Sequence, residues 1–250
     1  MEVSSVPGRH SSALKLLETP GPPELSRTAT TQDVSAEVRS ERAQRVLNVW
    51  AAAFLLALSA PLMLVIAALI KLTSPGPVLY VQPRVGLNRR NGGRPVGNCR
   101  RRIDAGGKLF RMYKFRTMRA DAGSGAQVWA APDDPRVTAV GGVLRRYRLD
   151  ELPQLVNVLR GDMNLVGPRP EQPEIFARLR QDIDHYAERQ RVRPGITGWA
   201  QVNHSYDRST DDVRRKLELD LEYLHRQSVQ EDLKIMLRTV PVVVFKQGAW

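Results

Sequence analysis

The feature that most constrains this chain is the segment from Val46 to Ile70, which contains no charged side chain. An α-helix rises about 1.5 Å per residue, so this segment would reach roughly 37 Å, enough to cross the hydrocarbon core of a bilayer. It begins far from the N-terminus, which argues against a cleaved signal peptide. The sequence therefore predicts a membrane-embedded helical segment.

Two arrangements of this segment fit the sequence. Basic residues flank it on both sides, and because Lys and Arg mark the cytoplasmic side, a straight crossing fits poorly; they are Arg39, Arg42 and Arg45 before it and Lys71, Arg84 and Arg89 after it. In its middle, Ser59 can bond back to a carbonyl, and Pro61 removes an amide donor and clashes with the preceding turn. A re-entrant helix–break–helix over residues 39–72 is one reading. A kinked spanning helix, which proline permits in membranes, is the other.

The rest of the chain is predicted to be an α/β domain, mainly helical. Residues 1–38 are rich in Ser, Thr and Pro and are predicted to be a disordered tail, and residues 73–250 are predicted to form one domain. Residues 108–115 alternate apolar and polar side chains, as in a strand. Helical patterns cover residues 138–146, 150–159, 173–189, 211–225 and 230–246. The last of these has an apolar stripe that suits either the protein core or a membrane interface. Residues 86–107 are predicted to form a long loop.

Charge narrows the partners. The chain has 38 Lys and Arg against 26 Asp and Glu, a net charge of +12, which implies nucleic acid, anionic lipid or a phosphorylated substrate. Nucleic-acid binding predicts aromatic side chains among the basic ones, yet only 6% of residues are aromatic, and Trp50 and Phe54 lie in the apolar segment. A membrane protein acting on lipid phosphate explains the charge better, so no nucleic-acid partner is expected. The single cysteine, Cys99, permits neither an intrachain disulfide nor a thiolate zinc cluster.

A pair of adjacent carboxylates, Asp150 and Glu151, stands among arginines. Such a pair can bind a hard divalent cation, and one member can act as a nucleophile. The alternative is that the pair caps a helix, since Asp is favoured at a helix start and Pro153 is tolerated in a first turn. The spacing alone leaves both readings open.

Several basic residues near the pair suit a phosphorylated substrate, because a guanidinium matches phosphate oxygens bidentately. The candidates are Lys114, Arg116, Arg145 and Arg169. Arg169 lies between two prolines, which restrict the backbone and hold the side chain in a fixed direction. Cationic neighbours are also expected to keep the carboxylates ionised.

At this point whole stretches of the chain resemble a known family. They are SPGPVLYVQPRVG (74–86), YKFRTM (113–118), DPRVTAVGGVLRRYRLDELPQLVNVLRGDMNLVGPRP (134–170), RPGITGWAQVN (193–203) and LELDLEYLHRQSVQEDLKIMLRTV (217–240). In this order they are similar to the bacterial sugar transferases, also called monotopic phosphoglycosyl transferases. The resemblance runs from about Arg45 to the C-terminus and is closest to the small form, in which only a short tail precedes the membrane segment.

The resemblance implies an enzyme that transfers a sugar-1-phosphate from a UDP-sugar to a polyprenyl (undecaprenyl) phosphate and releases UMP. By the family pattern Asp150 is the nucleophile that forms a phosphoaspartyl-sugar, and Glu151 helps Asp150 to hold Mg²⁺. Lys114, Arg145 and Arg169 match positions that bind phosphate. The family's membrane segment breaks at a Ser-Pro pair, which favours a hairpin here, although Ala60 separates Ser59 from Pro61.

The resemblance also implies a place in the cell: the inner membrane of a bacterium, with a compact cytosolic domain and amphipathic interfacial helices, at the first membrane step of exopolysaccharide or other glycan biosynthesis. A membrane-anchored scaffold without catalysis is the competing hypothesis. The residues do not specify which sugar is transferred, and they leave homo-oligomerisation open. The arginine-rich stretch of residues 86–108 is longer than the family usually shows.

Overall fold

The computed structural model describes residues 31–88, 106–119, 134–204 and 210–244. The chain divides into two units, Met1–Val38 and Arg39–Trp250. The helices are α1 Thr31–Thr73, α2 Ala139–Arg146, α3 Gln154–Arg160, α4 Pro173–Asp182, α5 Trp199–Asn203, α6 Thr210–Arg226 and α7 Val229–Val244. The strands are β1 Leu79–Val85, β2 Leu109–Phe115, β3 Asn164–Val166 and β4 Gly195–Thr197, and 3₁₀ turns cover Leu149–Glu151 and Tyr186–Arg191. The described part is mostly helical, as the sequence predicts, and contains two small sheets.

Helix α1 is a single helix, and it continues through Ser59 and Pro61. The predicted break is therefore not a helix end. Pro61 deprives one carbonyl of its donor, while the Ser59 hydroxyl donates to the Leu56 carbonyl oxygen at 3.4 Å. The part of the helix from Glu41 to Thr73 is long and apolar enough to cross a membrane. It begins at Thr31, before the predicted start at Arg39.

Only a narrow stripe of α1 is covered by protein. Its centre follows positions three or four residues apart, which lie on one helix face; they are Gln44, Asn48, Ala52, Leu56, Ser59, Met63, Ile66 and Ile70, and half-buried residues flank them at Arg45, Leu47, Val49, Ala51, Ala53 and Ala67. The other faces expose large apolar side chains, among them Trp50 (73% exposed), Leu64 (72%) and Leu72 (83%). An apolar surface of this length on a helix that also packs along the domain is typical of contact with lipid.

This packing predicts a contrast between two alanines of α1. Ala52 is 0% exposed and packs in the main core, whereas Ala57 is exposed. Replacement of Ala52 by Leu should lower the free energy of unfolding by about 1–3 kcal/mol, because extra methylenes strain a filled core. Ala57→Leu should stay within about 0.5 kcal/mol. Thermal unfolding of both variants in the same detergent measures the difference, and equal midpoints would show that the stripe is misplaced.

Three apolar clusters join α1 to the rest of the domain. The largest contains Ala52 of α1 with side chains of β2, α3, β3, α6 and α7. A second joins Ile66 and Ile70 of α1 to Phe115 and Leu144. The third lies between Val85, α4 and α6 and contains Phe176 and Tyr186. Both the N-terminal and the C-terminal parts of the apolar segment are thus anchored on the same domain.

The two sheets are small and of opposite kinds. Strands β1 and β2 are antiparallel, from the pair Leu79–Phe115 to the pair Val85–Leu109; the sequence predicts β2 but not β1. Strands β3 and β4 are parallel; their three residues are too short for a periodic signal, and the sequence did not predict them. The predicted helix 173–189 is interrupted: α4 ends at Asp182, and His185, with φ 62°, starts a 3₁₀ turn.

Candidate active site

The two carboxylates lie on the 3₁₀ turn Leu149–Glu151, which is preceded by Arg148 in the left-handed region (φ 54°). That residue turns the chain between α2 and α3 and directs both carboxylates inward, where Asp150 is 8% and Glu151 6% exposed. Helix α3 begins only at Gln154, and its N-cap is Pro153, without a side-chain cap. The capping interpretation of the pair is therefore wrong, and two buried acidic groups require another explanation.

Two cations meet this pair. The Lys114 Nζ lies 2.7 Å from Glu151 Oε1 and 3.7 Å from Asp150 Oδ2. The Arg169 guanidinium donates to both Glu151 oxygens, at 2.7 and 3.5 Å. Three separate elements, β2, the 3₁₀ turn and the loop after β3, thus bring together Lys114, Asp150, Glu151 and Arg169, as the sequence predicted. Glu151 takes the tight contacts, and Asp150 is only loosely paired.

This asymmetry shifts the pKa values of the two carboxyl groups in opposite directions. Burial raises the pKa of Glu151, but Arg169 and Lys114 outweigh it and hold the pKa well below its usual value. For Asp150 burial is the largest influence and raises the pKa, with Lys114 opposing and Glu151 reinforcing it. The cations therefore favour the ionised form of Glu151 more strongly than that of Asp150, because they are closer to Glu151.

The other two predicted cations differ in role. Arg145 donates from Nε to the Thr117 hydroxyl at 2.9 Å and lowers the pKa of Asp150, so it lies at the edge of the site. Arg116 is buried, and its guanidinium donates to the carbonyls of Ser74 and Pro75, both at 2.8 Å. The structure thus gives Arg116 the task of holding the turn after α1 and does not bring it to the carboxylates. Strand β2 ends at Phe115, so Arg116 does not continue the face of Lys114.

The loop that carries Arg169, residues 167–171, is fixed along its whole backbone. Gly167 N–H donates to Thr197 O, Gly195 N–H donates to Pro168 O, and Val85 N–H donates to Glu171 O. Arg189 Nη2 donates to Arg169 O, and Arg84 Nη1 donates to Pro170 O. All five distances are 2.9–3.0 Å. A long cationic side chain can be aimed only from a rigid base. This clamp explains how Arg169 keeps its contact with Glu151.

Beneath the loop lies a buried charge cluster that the sequence did not reveal. Arg189, 2% exposed, lies 2.7 Å from Asp220 and 3.3 Å from Glu171, and Lys216 lies 3.1 Å from Glu171. Burial raises the pKa of Glu171, but Lys216 and Arg189 bring it down to about 2. This carboxylate therefore stabilises the fold fully above its unfolded pKa of 4.5, and the contribution is lost as the pH falls towards 2.

The glycines of the 193–203 motif explain why that motif accompanies the Arg169 loop. A Cβ on Gly195 would lie 2.1 Å from Gly167 N, and one on Gly198 would lie 2.3 Å from Gly167 O. Only glycine permits this close approach of two backbones. The motif therefore supports the site from below, and its described part carries none of the four charged groups.

The donor chemistry of the site suits a hard cation. Among the described residues no group of three or more His, Cys, Asp and Glu side chains is arranged to hold a metal. Mg²⁺ commonly uses one or two carboxylates and completes its shell with water and substrate phosphates. Asp150 and Glu151 supply that pair of oxygen ligands, so the residues fit a metal that is shared with a phosphorylated substrate.

The chain is similar to known proteins over most of its length. A family model described as bacterial sugar transferase matches residues 39–246. UDP-N-acetylgalactosamine-undecaprenyl-phosphate N-acetylgalactosaminephosphotransferase of Aeromonas hydrophila is 42% identical over 206 residues, 82% of this chain and 44% of the relative. Undecaprenyl-phosphate glucose phosphotransferase of Komagataeibacter xylinus is 41% identical over 83% of this chain and 37% of the relative. UDP-glucose:undecaprenyl-phosphate glucose-1-phosphate transferase of Caulobacter vibrioides is 44% identical over 83% and 72%. The chain spans less than half the length of the first two relatives.

Proposed function

The chain belongs to the bacterial sugar transferase family, and on that basis we propose that it transfers a sugar-1-phosphate from a UDP-sugar to undecaprenyl phosphate, with UMP as the second product. The observation that carries the proposal is the buried carboxylate pair with unequal partners. Glu151 is neutralised by Lys114 and Arg169, and Asp150 lies beside it with only a 3.7 Å contact to Lys114. A scaffold without catalysis would not need four buried or half-buried charges in this arrangement.

We propose that the reaction proceeds at these residues in two displacements. An Asp150 oxygen attacks the phosphorus that bears the sugar, and the bond from this phosphorus to the UMP oxygen breaks. The phosphate of the lipid then attacks the same phosphorus, and the bond to Asp150 breaks and restores the carboxylate. Splitting the transfer lets the soluble nucleotide leave before the lipid arrives.

The cations lower the barrier to both displacements. A carboxylate and a diphosphate repel each other, and the charges of Lys114, Arg169 and Arg145 oppose that repulsion. Arg169 also holds Glu151 ionised and in place beside Asp150. Mg²⁺, held by Asp150 and Glu151 when bound, would add positive charge that favours ionised Asp150 and neutralises phosphate oxygens.

The proposed placement is monotopic: α1 enters one leaflet, and a bend at Pro61 within the continuous helix returns both of its ends to the cytoplasmic face of the inner membrane. Two sets of contacts support this. Arg45 donates to the carbonyls of Val158 and Leu159 at 2.6 and 2.8 Å, and the Asn48 side chain accepts from Leu165 N. At the other end Ile70 packs in the domain core. A straight crossing would separate these ends by the hydrocarbon thickness. The exposed Leu237 and Val240 of α7 are suited to the same membrane surface.

A cysteine-labelling experiment tests this placement. In a Cys99→Ser background, Arg42→Cys and Lys108→Cys introduce exposed thiols before and after the apolar segment. Neither should react with an impermeant maleimide in cells whose outer membrane alone is opened, and both should react after lysis. Labelling of residue 42 but not residue 108 in those cells would contradict the monotopic arrangement.

The activity itself is tested with purified protein and a panel of UDP-sugars. The relatives are named for glucose and for N-acetylgalactosamine, so the panel begins with these two donors. We expect UMP release that requires Mg²⁺ and continues past one turnover only when undecaprenyl phosphate is present. Absence of UMP release with every UDP-sugar tested would refute the proposal. Participation in exopolysaccharide assembly and the oligomeric state remain predictions.

A further inference from the structure

Asn157 is the polar side chain that connects the elements of the site. It is 0% exposed, and it lies on α3, directly after the turn that carries the carboxylates. Burying an amide is unfavourable unless its donor and acceptor are both satisfied. Its surroundings therefore show what the residue does.

The side-chain amide of Asn157 forms hydrogen bonds with the backbone of two residues of strand β2. Its Oδ1 accepts from the Tyr113 N–H at 3.1 Å, and its Nδ2 donates to the Arg111 carbonyl at 2.7 Å. Hydrogen bonds to β1 alternate along β2, and the backbone groups of Arg111 and Tyr113 are those that point away from β1. The side chain thus takes the place of a peptide group of a third strand. It fixes α3 along β2, and Lys114 is the residue after Tyr113.

The backbone of the same residue fixes the next element. The Asn157 carbonyl accepts from Asp162 N at 3.1 Å and Met163 N at 3.3 Å, so the chain turns from α3 directly into β3. Strand β3 leads to Gly167 and the loop of Arg169. Asn157 therefore bonds to β2, which carries Lys114, and to the turn before β3, which leads to the Arg169 loop. It lies on the helix that follows the carboxylate turn.

We propose that Asn157 is a positioning residue for the transfer: its amide sets how far α3 and its preceding turn lie along β2, and hence the separation of Lys114 from the two carboxylates. The inference rests on the proposed function and extends it. Lys114 contacts Glu151 at 2.7 Å and Asp150 at 3.7 Å. A shift of α3 and its preceding turn along the strand would change these two distances and with them the pairing of Asp150.

The test compares two truncations in the same helix. Asn157→Ala removes both hydrogen bonds to β2, whereas Val158→Ala, also 0% exposed, removes apolar packing and no hydrogen bond. With UDP-sugar and no lipid, the amplitude of UMP release counts folded enzyme, and its rate constant reports the geometry of the site. We expect the rate constant and kcat to fall about 10–100-fold for Asn157→Ala, with KM for the UDP-sugar nearly unchanged. Val158→Ala should lower the unfolding midpoint and the amplitude but keep the rate constant.

Equal rate constants in the two variants would overturn the inference, while UMP release by the Val158→Ala protein would leave the proposed function intact. If Asn157→Ala does not fold, Asn157→Asp decides the matter. That variant keeps the size of the side chain and the acceptor for Tyr113 N–H but loses the donor to Arg111 O. It should show the same fall in rate constant, and a rate constant equal to that of the wild type would equally overturn the inference.

Discussion

Replacement of Asp150 by Asn should abolish sugar-phosphate transfer, with a fall of more than about 10³-fold in kcat. The amide has the size of the carboxylate but cannot attack phosphorus. The fold should survive, because Asp150 makes only a 3.7 Å contact with Lys114 and its burial already disfavours the charged form. UMP release from the UDP-sugar, with and without lipid, measures the effect.

Two comparisons make this result specific. Asp182→Asn, at an exposed position at the end of α4, should leave both UMP release and transfer unchanged. Glu151→Gln should reduce the rate of UMP release for a different reason. Lys114 and Arg169 then lose the carboxylate that holds them in place beside Asp150. Retention of one-turnover UMP release by Asp150→Asn would assign the nucleophile to another group.

The second large effect is expected in stability. Arg189→Met should lower the free energy of unfolding by about 3–5 kcal/mol, since it leaves Asp220 buried without its 2.7 Å partner and removes one of the two cations of Glu171. The same change deletes the hydrogen bond to the Arg169 carbonyl, so activity should fall in the protein that remains folded. Denaturant unfolding in detergent, followed by fluorescence, gives the difference.

The matched control is Arg191→Met, two residues away. Arg191 is exposed and lies 3.3 Å from Glu188 at the surface, where an ion pair contributes little, so its replacement should change stability by less than about 0.5 kcal/mol. The double change Arg189→Met with Asp220→Leu should regain much of the lost stability, because neither charge then remains. If the double variant were as unstable as Arg189→Met alone, the unpaired carboxylate would not be the cause.

The sequence could predict the charged centre because its residues stand in short, distinctive motifs. The motifs indicate Lys114, Asp150, Glu151 and Arg169, and the structure brings these four side chains together. The prediction failed where a residue's direction depends on where an element ends. Arg116 lies just past the end of β2 and holds the turn after α1 instead of facing the carboxylates.

The sequence pattern does not indicate which polar residues are buried. Arg189 lies in a stretch that looks like an exposed charged helix, and only the interruption at His185 turns it inward. Asn157 lies among the apolar residues of α3, and its role depends on β2, which is distant in sequence. Strands β3 and β4 cannot be predicted from hydrophobic periodicity either. Their close approach depends on Gly167 and Gly195, which have no side chain.

The apolar segment shows the same limit. Its length and lack of charge predicted a membrane helix, and its exposed faces fit that function. Ser59 and Pro61 predict a break, but the helix continues through them. The loss of one hydrogen bond does not end this helix, because packing holds it on both sides of the proline. Packing partners, which are distant in sequence, decide such cases.

The most direct test of the account is intact-protein mass spectrometry after the wild-type protein meets its UDP-sugar in the absence of lipid. We predict a mass increase of one sugar phosphate per chain, located by peptide mapping at Asp150 and removed when undecaprenyl phosphate is added. Transfer to lipid without any such adduct, or an adduct at a residue other than Asp150, would contradict it.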